Sequence, residues 1–172
     1  MSKPITVGIL TASDKGSRGE REDKSQDAIV ETLNNLDAEV VWYQIVPDEK
    51  DIIKEKLIEL ADEVKVDLAL TTGGTGLSPR DVTPEATAEV IDKEVPGFAE
   101  AMRAESLKKT PAAMISRAIA GIRKRTLIIN LPGSPKGARE CLEVALPALP
   151  HAVEVIRGEV GDHNRPEHRK NA

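Results

Sequence analysis

The sequence predicts an α/β fold in which helices cover both faces of a mostly parallel β-sheet that carries one antiparallel strand. Short apolar runs rich in β-branched residues alternate with longer segments whose apolar residues recur at helical spacing. Near residue 124 a short basic turn separates two apolar runs, which indicates a β-hairpin and hence the antiparallel strand. The order β-α-β-α-β-α-α-β-β-α then predicts a three-layer α/β/α architecture.

The first half of the chain alternates predicted strands with predicted helices. Residues 5–13 read "ITVGILTAS", which is apolar on both faces as a buried parallel strand requires, and residues 38–46 and 67–72 share this character. Residues 24–36 carry apolar side chains at helical intervals. Residues 47–64 open with a proline and three acidic residues, which favours the start of another helix.

The second half predicts two consecutive helices before the hairpin. Residues 83–94 begin with Thr83 as the predicted N-cap and a proline at the first helical position. A further helix is expected over residues 96–109. The hairpin spans residues 116–131. Ser116 and Arg117 either begin its first strand or contact a ligand, and the strand start is favoured.

The last predicted helix runs from about residue 136 to residue 157. Pro147 and Pro150 lie inside it, and each lacks a backbone donor, so the helix is expected to kink there. The residues that follow are almost without apolar side chains. We therefore expect one domain over residues 1–160 and a flexible tail over residues 161–172.

Composition limits the function. The chain has 172 residues and a net charge of −5, which gives no reason to expect a nucleic-acid partner. Its one cysteine, Cys141, is expected to pack in the interior and fits a reducing cytoplasm. No segment is apolar for the roughly 20 residues that a membrane helix needs, and no targeting segment is expected.

A glycine-rich turn follows the third predicted strand. Residues 73–76 read Gly-Gly-Thr-Gly, and glycine allows the positive φ angles and close backbone approach that a bound oxyanion needs. The turn lacks the Gly-Lys-Ser/Thr ending of a P-loop and the spacing of a dinucleotide-binding fingerprint. A phosphate cradle and a plain tight turn both agree with these residues.

Two aspartates are expected beside this turn, at the carboxyl edge of the sheet. Asp81 follows the turn, and Asp48 follows the second predicted strand. A bare carboxylate repels phosphate, so Asp81 suits a phosphate site if a Mg²⁺ ion lies between them. From spacing alone, Asp48 is better explained as an acidic residue in the first turn of a helix.

Three segments together resemble one known family. They are "PDE" at 47–49, "TTGGTGLSPRDVTPEAT" at 71–87 and "LIINLPGSPKGARECLEVALPALPHAVEVIRG" at 127–158. These motifs resemble the molybdenum-cofactor biosynthesis proteins of the MogA and MoaB type, which include the plant G domain and the G domain of gephyrin. The resemblance spans nearly the whole chain and implies the molybdopterin-binding fold of that family.

This resemblance implies a molybdopterin adenylyltransferase. The terminal phosphate of molybdopterin would attack the α-phosphate of Mg-ATP, giving adenylyl-molybdopterin and pyrophosphate. The product would pass to a protein that inserts molybdate or tungstate, and the sequence leaves the choice of metal open. The resemblance also implies a homotrimer.

The resemblance assigns roles to particular residues. Asp48 and Asp81 match the two essential aspartates of the family and are assigned to catalysis and to Mg²⁺ binding. The residues assigned to the nucleotide phosphates are Gly73, Gly74, Thr75, Gly76 and Arg80. Those assigned to molybdopterin are Ser13, Asp14, Asp23 and Ser25 in one loop and Pro132, Gly133, Ser134 and Lys136 in another.

An alternative is a molybdopterin-binding or assembly protein of the same fold that has no turnover. Retention of both Asp48 and Asp81 favours the enzyme, because a pure binder has no reason to keep two like charges beside an anion site. Arg21 stands where bacterial relatives often carry an aromatic residue, so its role in the first loop is open. The sequence does not separate the MogA type from the MoaB type.

Overall fold

A single sheet organises the computed structural model, which describes residues 3–160. The strands are β1 (Ile5–Ala12), β2 (Ala38–Val46), β3 (Leu68–Thr72), β4 (Lys93–Glu94), β5 (Ala120–Arg123) and β6 (Thr126–Leu131). They lie in the order β2-β1-β3-β6-β5-β4. The predicted tail, residues 161–172, lies outside the described residues.

The direction of the strands confirms the predicted sheet. β1 pairs in parallel with β2 and β3, and β3 pairs in parallel with β6. β5 is antiparallel to both of its neighbours, β6 and β4. Within residues 3–160, β5 is therefore the one antiparallel strand that the basic turn at residue 124 predicted.

Helices cover the two faces of the sheet. They are α1 (Asp14–Ser17), α2 (Lys24–Leu33), α3 (Lys50–Ile58), α4 (Thr83–Val90), α5 (Pro96–Leu107), α6 (Pro135–Ala145) and α7 (Leu149–Arg157). A π-helical segment, Glu59–Val64, continues α3. A 3₁₀ turn at Leu146–Ala148 separates α6 from α7, as the prolines predicted.

Alternating side chains of the buried strands divide the core into two halves. Ile9, Leu70 and Ile129 lie on the face covered by α2, α5, α6 and α7. Leu10 and Ile128 lie on the opposite face, beneath α3 and α4. The predicted three-layer arrangement is therefore confirmed, and burial on both faces accounts for the nearly continuous apolar runs of these strands.

The structure corrects the predicted boundaries after β3. The helix expected over residues 83–94 ends at Val90, and Lys93–Glu94 instead form β4 beside β5. Gly121 allows this approach, because a Cβ atom there would lie 2.7 Å from the carbonyl oxygen of Lys93. A long-range pairing of this kind leaves no periodic signal in the local sequence.

Two further local predictions are wrong. Thr83 is not the N-cap of α4: Val82 holds that position without a side-chain hydrogen bond, and Thr83 is the first helical residue. Ser116 and Arg117 do not begin a strand, because they follow a 3₁₀ turn at Pro111–Ile115 and β5 starts at Ala120.

Two other expectations concern burial and membranes. Cys141 is 6% exposed and packs in the core, as predicted. Among residues 3–160, no helix has the length and apolar character needed to cross a bilayer.

Candidate active site

The carboxyl ends of three strands bring the predicted loops together. The first loop follows β1, the glycine turn follows β3, and the segment 132–137 follows β6. The Gly73 N–H donates to the carbonyl oxygen of Leu131 at 3.2 Å. The Ser25 hydroxyl donates to the carbonyl oxygen of Gly133 at 2.5 Å. The loops assigned to nucleotide and molybdopterin thus form one continuous surface.

The glycine turn presents its amides and its carbonyls differently. Gly73 and Gly74 have φ angles of 93° and 70°, which only glycine adopts readily. The carbonyl of Gly74 accepts a hydrogen bond from the Thr83 N–H, and those of Thr75 and Gly76 accept from Arg117.

The matching N–H groups are without partners. Within residues 3–160, the backbone N–H groups of Gly74, Thr75 and Gly76 donate no hydrogen bond. Successive N–H groups that the protein does not use are a recurrent anion-binding arrangement. The geometry therefore favours the phosphate cradle over the plain tight turn.

Asp48 is held rigidly at the end of β2. Its Oδ2 accepts from the Asp14 N–H at 2.9 Å, and its own N–H donates to Asp14 Oδ1 at 2.9 Å. Burial raises the pKa of Asp48 above its usual value, and the negative charges of Asp14 and Asp81 raise it further. A cation bound between these groups would oppose this shift, because it stabilises the ionised carboxylate.

Asp81 lies beside the same glycine turn. Its Oδ2 accepts from the Ser78 N–H at 3.0 Å. A Cβ atom on Gly76 would lie 2.9 Å from this oxygen, whereas one on Gly74 would lie 3.4 Å from Asp48 Oδ1. Each carboxylate therefore lies beside a different glycine of the same turn, Asp81 beside Gly76 and Asp48 beside Gly74.

Asp48 and Asp81 are the two carboxylates beside the glycine turn that could hold a metal ion. The described residues contain no cluster of three or more acidic, histidine or cysteine side chains suited to a metal. Mg²⁺ characteristically binds through one or two carboxylates and completes its six ligands with water and substrate phosphate. Asp48 and Asp81 supply such a pair.

Arg80 connects the loops electrostatically. Its guanidinium donates to Asp14 Oδ2 at 3.1 Å and Oδ1 at 2.9 Å, and to Glu49 Oε1 at 3.0 Å. The hydrogen bonds from Arg80 lower the pKa of Asp14 below its usual value. Arg80 thus lies at the site, but two carboxylates already engage its charge.

The first loop has a cavity of about 420 Å³, which Ser13, Arg21 and Ser25 line. Several of the side chains assigned to molybdopterin here also hold the loop in shape. The Ser13 hydroxyl caps α1 by accepting from the Gly16 N–H at 3.0 Å. Asp23 caps α2 and accepts hydrogen bonds from the hydroxyls of Thr11 and Tyr43.

The third loop borders a more apolar cavity of about 280 Å³. Ser134 caps α6 by accepting from the Gly137 N–H at 3.0 Å, and Lys136 is exposed on the first turn of that helix. Pro132 and Ser134 line the cavity together with Gly76 and with the apolar residues Met102 and Ala113. An apolar cleft beside the glycine turn is suited to a flat heterocycle.

Arg117 was predicted to begin a strand in preference to contacting a ligand, but it lies at the site. Its Nε donates to the Gly76 carbonyl at 2.7 Å, its Nη2 to the Asp81 carbonyl at 2.8 Å, and its backbone N–H to the Thr75 carbonyl at 2.9 Å. A salt bridge to Glu85 fixes the same guanidinium. No local pattern signals this role, because the partners lie 32 or more residues away along the chain.

Comparison with known proteins identifies the family. The family described as "Probable molybdopterin binding domain" matches residues 8–151. A relative from Helicobacter pylori (strain ATCC 700392 / 26695), named molybdopterin adenylyltransferase, is 52% identical over 156 residues, which cover 90% of this chain and 89% of the relative. The Escherichia coli (strain K12) protein of the same name is 45% identical over 141 residues, covering 81% and 72%.

A solved structure agrees with these relatives. The molybdopterin biosynthesis enzyme MoaB from Thermus thermophilus is 59% identical and superposes with a TM-score of 0.86, covering 90% of this chain and 97% of that chain. The resemblance seen in the three motifs is therefore confirmed, and this protein belongs to the probable molybdopterin-binding domain family of molybdenum-cofactor biosynthesis proteins.

Proposed function

We propose that this protein is a molybdopterin adenylyltransferase of molybdenum cofactor biosynthesis. An oxygen of the molybdopterin phosphate forms a bond to the α-phosphorus of ATP. The bond from that phosphorus to the oxygen bridging the α- and β-phosphates breaks, and pyrophosphate leaves with the bridging oxygen. The names of the Helicobacter pylori and Escherichia coli relatives support a transferase of this class.

The main support for the proposal is the glycine turn and the two aspartates beside it. Three consecutive N–H groups without partners among residues 3–160, those of Gly74 to Gly76, lie on a turn whose glycines adjoin Asp48 and Asp81. Phosphate oxygens satisfy such N–H groups, and donors held in place before reaction stabilise charge that develops on phosphorus. The two carboxylates are favourable beside this cradle when a cation accompanies the triphosphate.

Mg²⁺, held by Asp48 and Asp81, supplies neutralisation of phosphate charge when it is bound, a contribution of several kcal/mol in comparable sites. The chain's own residues orient the substrates. Arg80 holds Asp14, and Asp14 holds the backbone of Asp48, so the segments that follow β1, β2 and β3 are tied together. In this proposal Arg80 contacts phosphate by exchanging one of its carboxylate partners.

The cavities of the first and third loops suit different parts of the substrates. We assign the molybdopterin phosphate end to the region between Ser25 and Ser134, because the Ser25 hydroxyl bond to Gly133 joins the first and third loops there. The apolar cleft beside Gly76 and Pro132 would take a heterocycle.

The proposed homotrimer is supported by exposed apolar side chains, of which Met114 is 72% and Ile115 50% exposed.

The test is an adenylylation assay with purified molybdopterin and ATP. We expect pyrophosphate release that requires Mg²⁺ and stops when EDTA removes it. Asp81→Asn and Asp48→Asn should each lower the rate by about 100-fold or more, because the cation loses one of its two carboxylates. Molybdopterin binding by Asp81→Asn, followed by fluorescence, should persist.

Asp51→Asn is the matched control, since Asp51 is an exposed carboxylate on the first turn of α3. Its rate should equal that of the wild type. Molybdopterin binding by the wild type without pyrophosphate release would favour the non-catalytic assembly protein. An unchanged rate in Asp81→Asn would remove Asp81 from the mechanism. An unchanged rate in Asp48→Asn would favour the interpretation of Asp48 as an acidic residue that only stabilises the start of a helix.

A further inference from the structure

Thr83 carries a buried hydroxyl without a hydrogen-bond partner. The residue is 0% exposed, and its Oγ1 is the only buried side-chain nitrogen or oxygen among the described residues that lacks a partner. Leaving such a group unpaired destabilises a protein, so an unpaired group that persists calls for an explanation.

Other buried threonines show what an ordinary hydroxyl does in this fold. Thr32 and Thr87 donate to the carbonyl four residues earlier in their helices, at 2.7 and 2.9 Å. Thr126 donates to the Val66 carbonyl at 2.6 Å. Thr83 is the first residue of α4, so no preceding helical turn offers it such a carbonyl.

The hydroxyl lies beside the candidate catalytic carboxylate. A Cβ atom built on Gly74 would lie 2.3 Å from Thr83 Oγ1 and 3.4 Å from Asp48 Oδ1, so both oxygens flank the same glycine. Asp48 Oδ2 is occupied by the Asp14 N–H, whereas Oδ1 accepts no hydrogen bond from residues 3–160. An unused donor and an unused acceptor thus both lie close to the position that a side chain on Gly74 would occupy.

We propose that Thr83 is a positioning residue for Asp48, whose hydroxyl donates to Asp48 Oδ1 when that carboxylate holds a divalent cation. Cation binding reorients a carboxylate, and the second oxygen lone pair is then free to accept a hydrogen bond. Protein ligands of metals are commonly oriented in this way, and loss of the orienting group typically weakens metal binding by about 10–100-fold. This inference rests on the proposed function, because it takes Asp48 as a cation ligand.

The test measures binding of Mn²⁺ alone, followed by electron paramagnetic resonance, to the full chain without ATP or pterin. Mn²⁺ shares the preference of Mg²⁺ for oxygen ligands. Thr83→Val keeps the shape and removes the hydroxyl, so we expect Mn²⁺ affinity to fall about 10–100-fold. Without metal, the Tm of this variant should equal or exceed that of the wild type, because an unpaired buried polar atom is gone.

Two variants complete the comparison. Thr83→Ser keeps the hydroxyl and loses a buried methyl group, so its Tm should fall while its Mn²⁺ affinity stays near that of the wild type. Thr126→Val removes a hydroxyl that is bonded at the opposite edge of the sheet, so its Tm should also fall with unchanged Mn²⁺ affinity.

The outcomes separate this inference from the proposed function. Wild-type affinity in Thr83→Val, or no Mn²⁺ binding by the wild type at millimolar concentration, overturns the role of Thr83. If Mn²⁺ binding depends on Asp48 and Thr83 but no pyrophosphate forms in the adenylylation assay, the inference holds and the adenylyltransferase proposal fails. If Thr83→Val releases pyrophosphate with the wild-type dependence on Mg²⁺, the adenylyltransferase proposal holds and the role of Thr83 is overturned.

Discussion

Gly74 shows at the scale of one residue why the turn requires glycine. Its φ angle of 70° lies in the left-handed region, which L side chains rarely adopt. A Cβ atom there would also collide with Thr83 Oγ1 at 2.3 Å. The small residue therefore serves both the backbone conformation and the close approach of Thr83 and Asp48.

Gly74→Ala is expected to lower the free energy of unfolding by about 1–2 kcal/mol for the left-handed backbone, before the collision is counted. The rate of pyrophosphate release should also fall, because Asp48 and the free N–H groups of the glycine turn would shift. Urea unfolding and the adenylylation assay measure the two effects.

Gly97→Ala is the control for Gly74→Ala. Gly97 lies in α5, and a Cβ atom there meets no atom within 4 Å. Alanine should stabilise this helix by up to about 1 kcal/mol and leave turnover unchanged. Wild-type stability and activity in Gly74→Ala would refute the steric role of this glycine.

The short segment before β5 shows how one element shapes another. Arg117 lies between the 3₁₀ turn and β5, and it binds the carbonyls of Thr75, Gly76 and Asp81. These bonds hold the carbonyls of the glycine turn toward the protein. The turn's N–H groups consequently stay available for an anion, although Arg117 itself contributes nothing to the cradle.

Arg117→Ala should loosen the whole turn. We expect faster amide hydrogen exchange over residues 74–81 and a loss of adenylyl transfer on the order of 100-fold, because reacting groups are displaced. Arg139→Ala, which removes an exposed arginine from α6, should change neither. Wild-type exchange in the turn of Arg117→Ala would contradict this assignment.

At the scale of the whole molecule, one ion pair joins the amino-terminal edge of the sheet to the last helix. Arg157 at the end of α7 donates to Asp67 Oδ1 at 3.0 Å and Oδ2 at 2.6 Å. Asp67 also accepts from the N–H and the hydroxyl of Thr6 in β1. Burial raises the pKa of Asp67, but the hydrogen bonds from Arg157 and Thr6 outweigh it, and the net pKa lies below 3.8.

The lowered pKa of Asp67 fixes the sign of its pH dependence. The folded protein favours the ionised carboxylate, so the stabilisation is present above the ordinary pKa of 3.8 and is lost as pH falls through the lower folded value. Asp67→Asn should therefore lower the free energy of unfolding by about 1.5–3 kcal/mol at pH 7. The difference from the wild type should shrink below about pH 4.

Denaturation of both proteins across this pH range provides the measurement. Asp37→Asn, at an exposed position near the same edge of the sheet, should show little difference at any pH. A deficit in Asp67→Asn that stays constant down to strongly acid pH would show that the charge of Asp67 is not what stabilises the fold.

Much of the fold could be predicted because its signals are local. Ile9 and its neighbours form a nearly continuous apolar run, as expected for a strand such as β1 that is buried on both faces. β4 could not be predicted, since two residues carry no periodicity and pair only because Gly121 lets the chains approach. Thr83 likewise resembled an N-cap locally, although the carbonyl of Gly74 binds its backbone in the folded protein.

The sequence by itself determined the fold class and the family, because periodicity and motif spacing are properties of short segments. It also predicted the glycine turn and the two aspartates as a candidate site. The tertiary structure alone decided which groups are paired. Arg80 pairs with Asp14 and Arg117 with the carbonyls of the turn, whereas the Thr83 hydroxyl has no partner among residues 3–160. Hydrogen-bond partners far apart along the chain depend on the order of the strands and on how their loops pack. These long-range contacts bind the carbonyls of the glycine turn and leave its N–H groups free, and the proposed chemistry depends on those N–H groups.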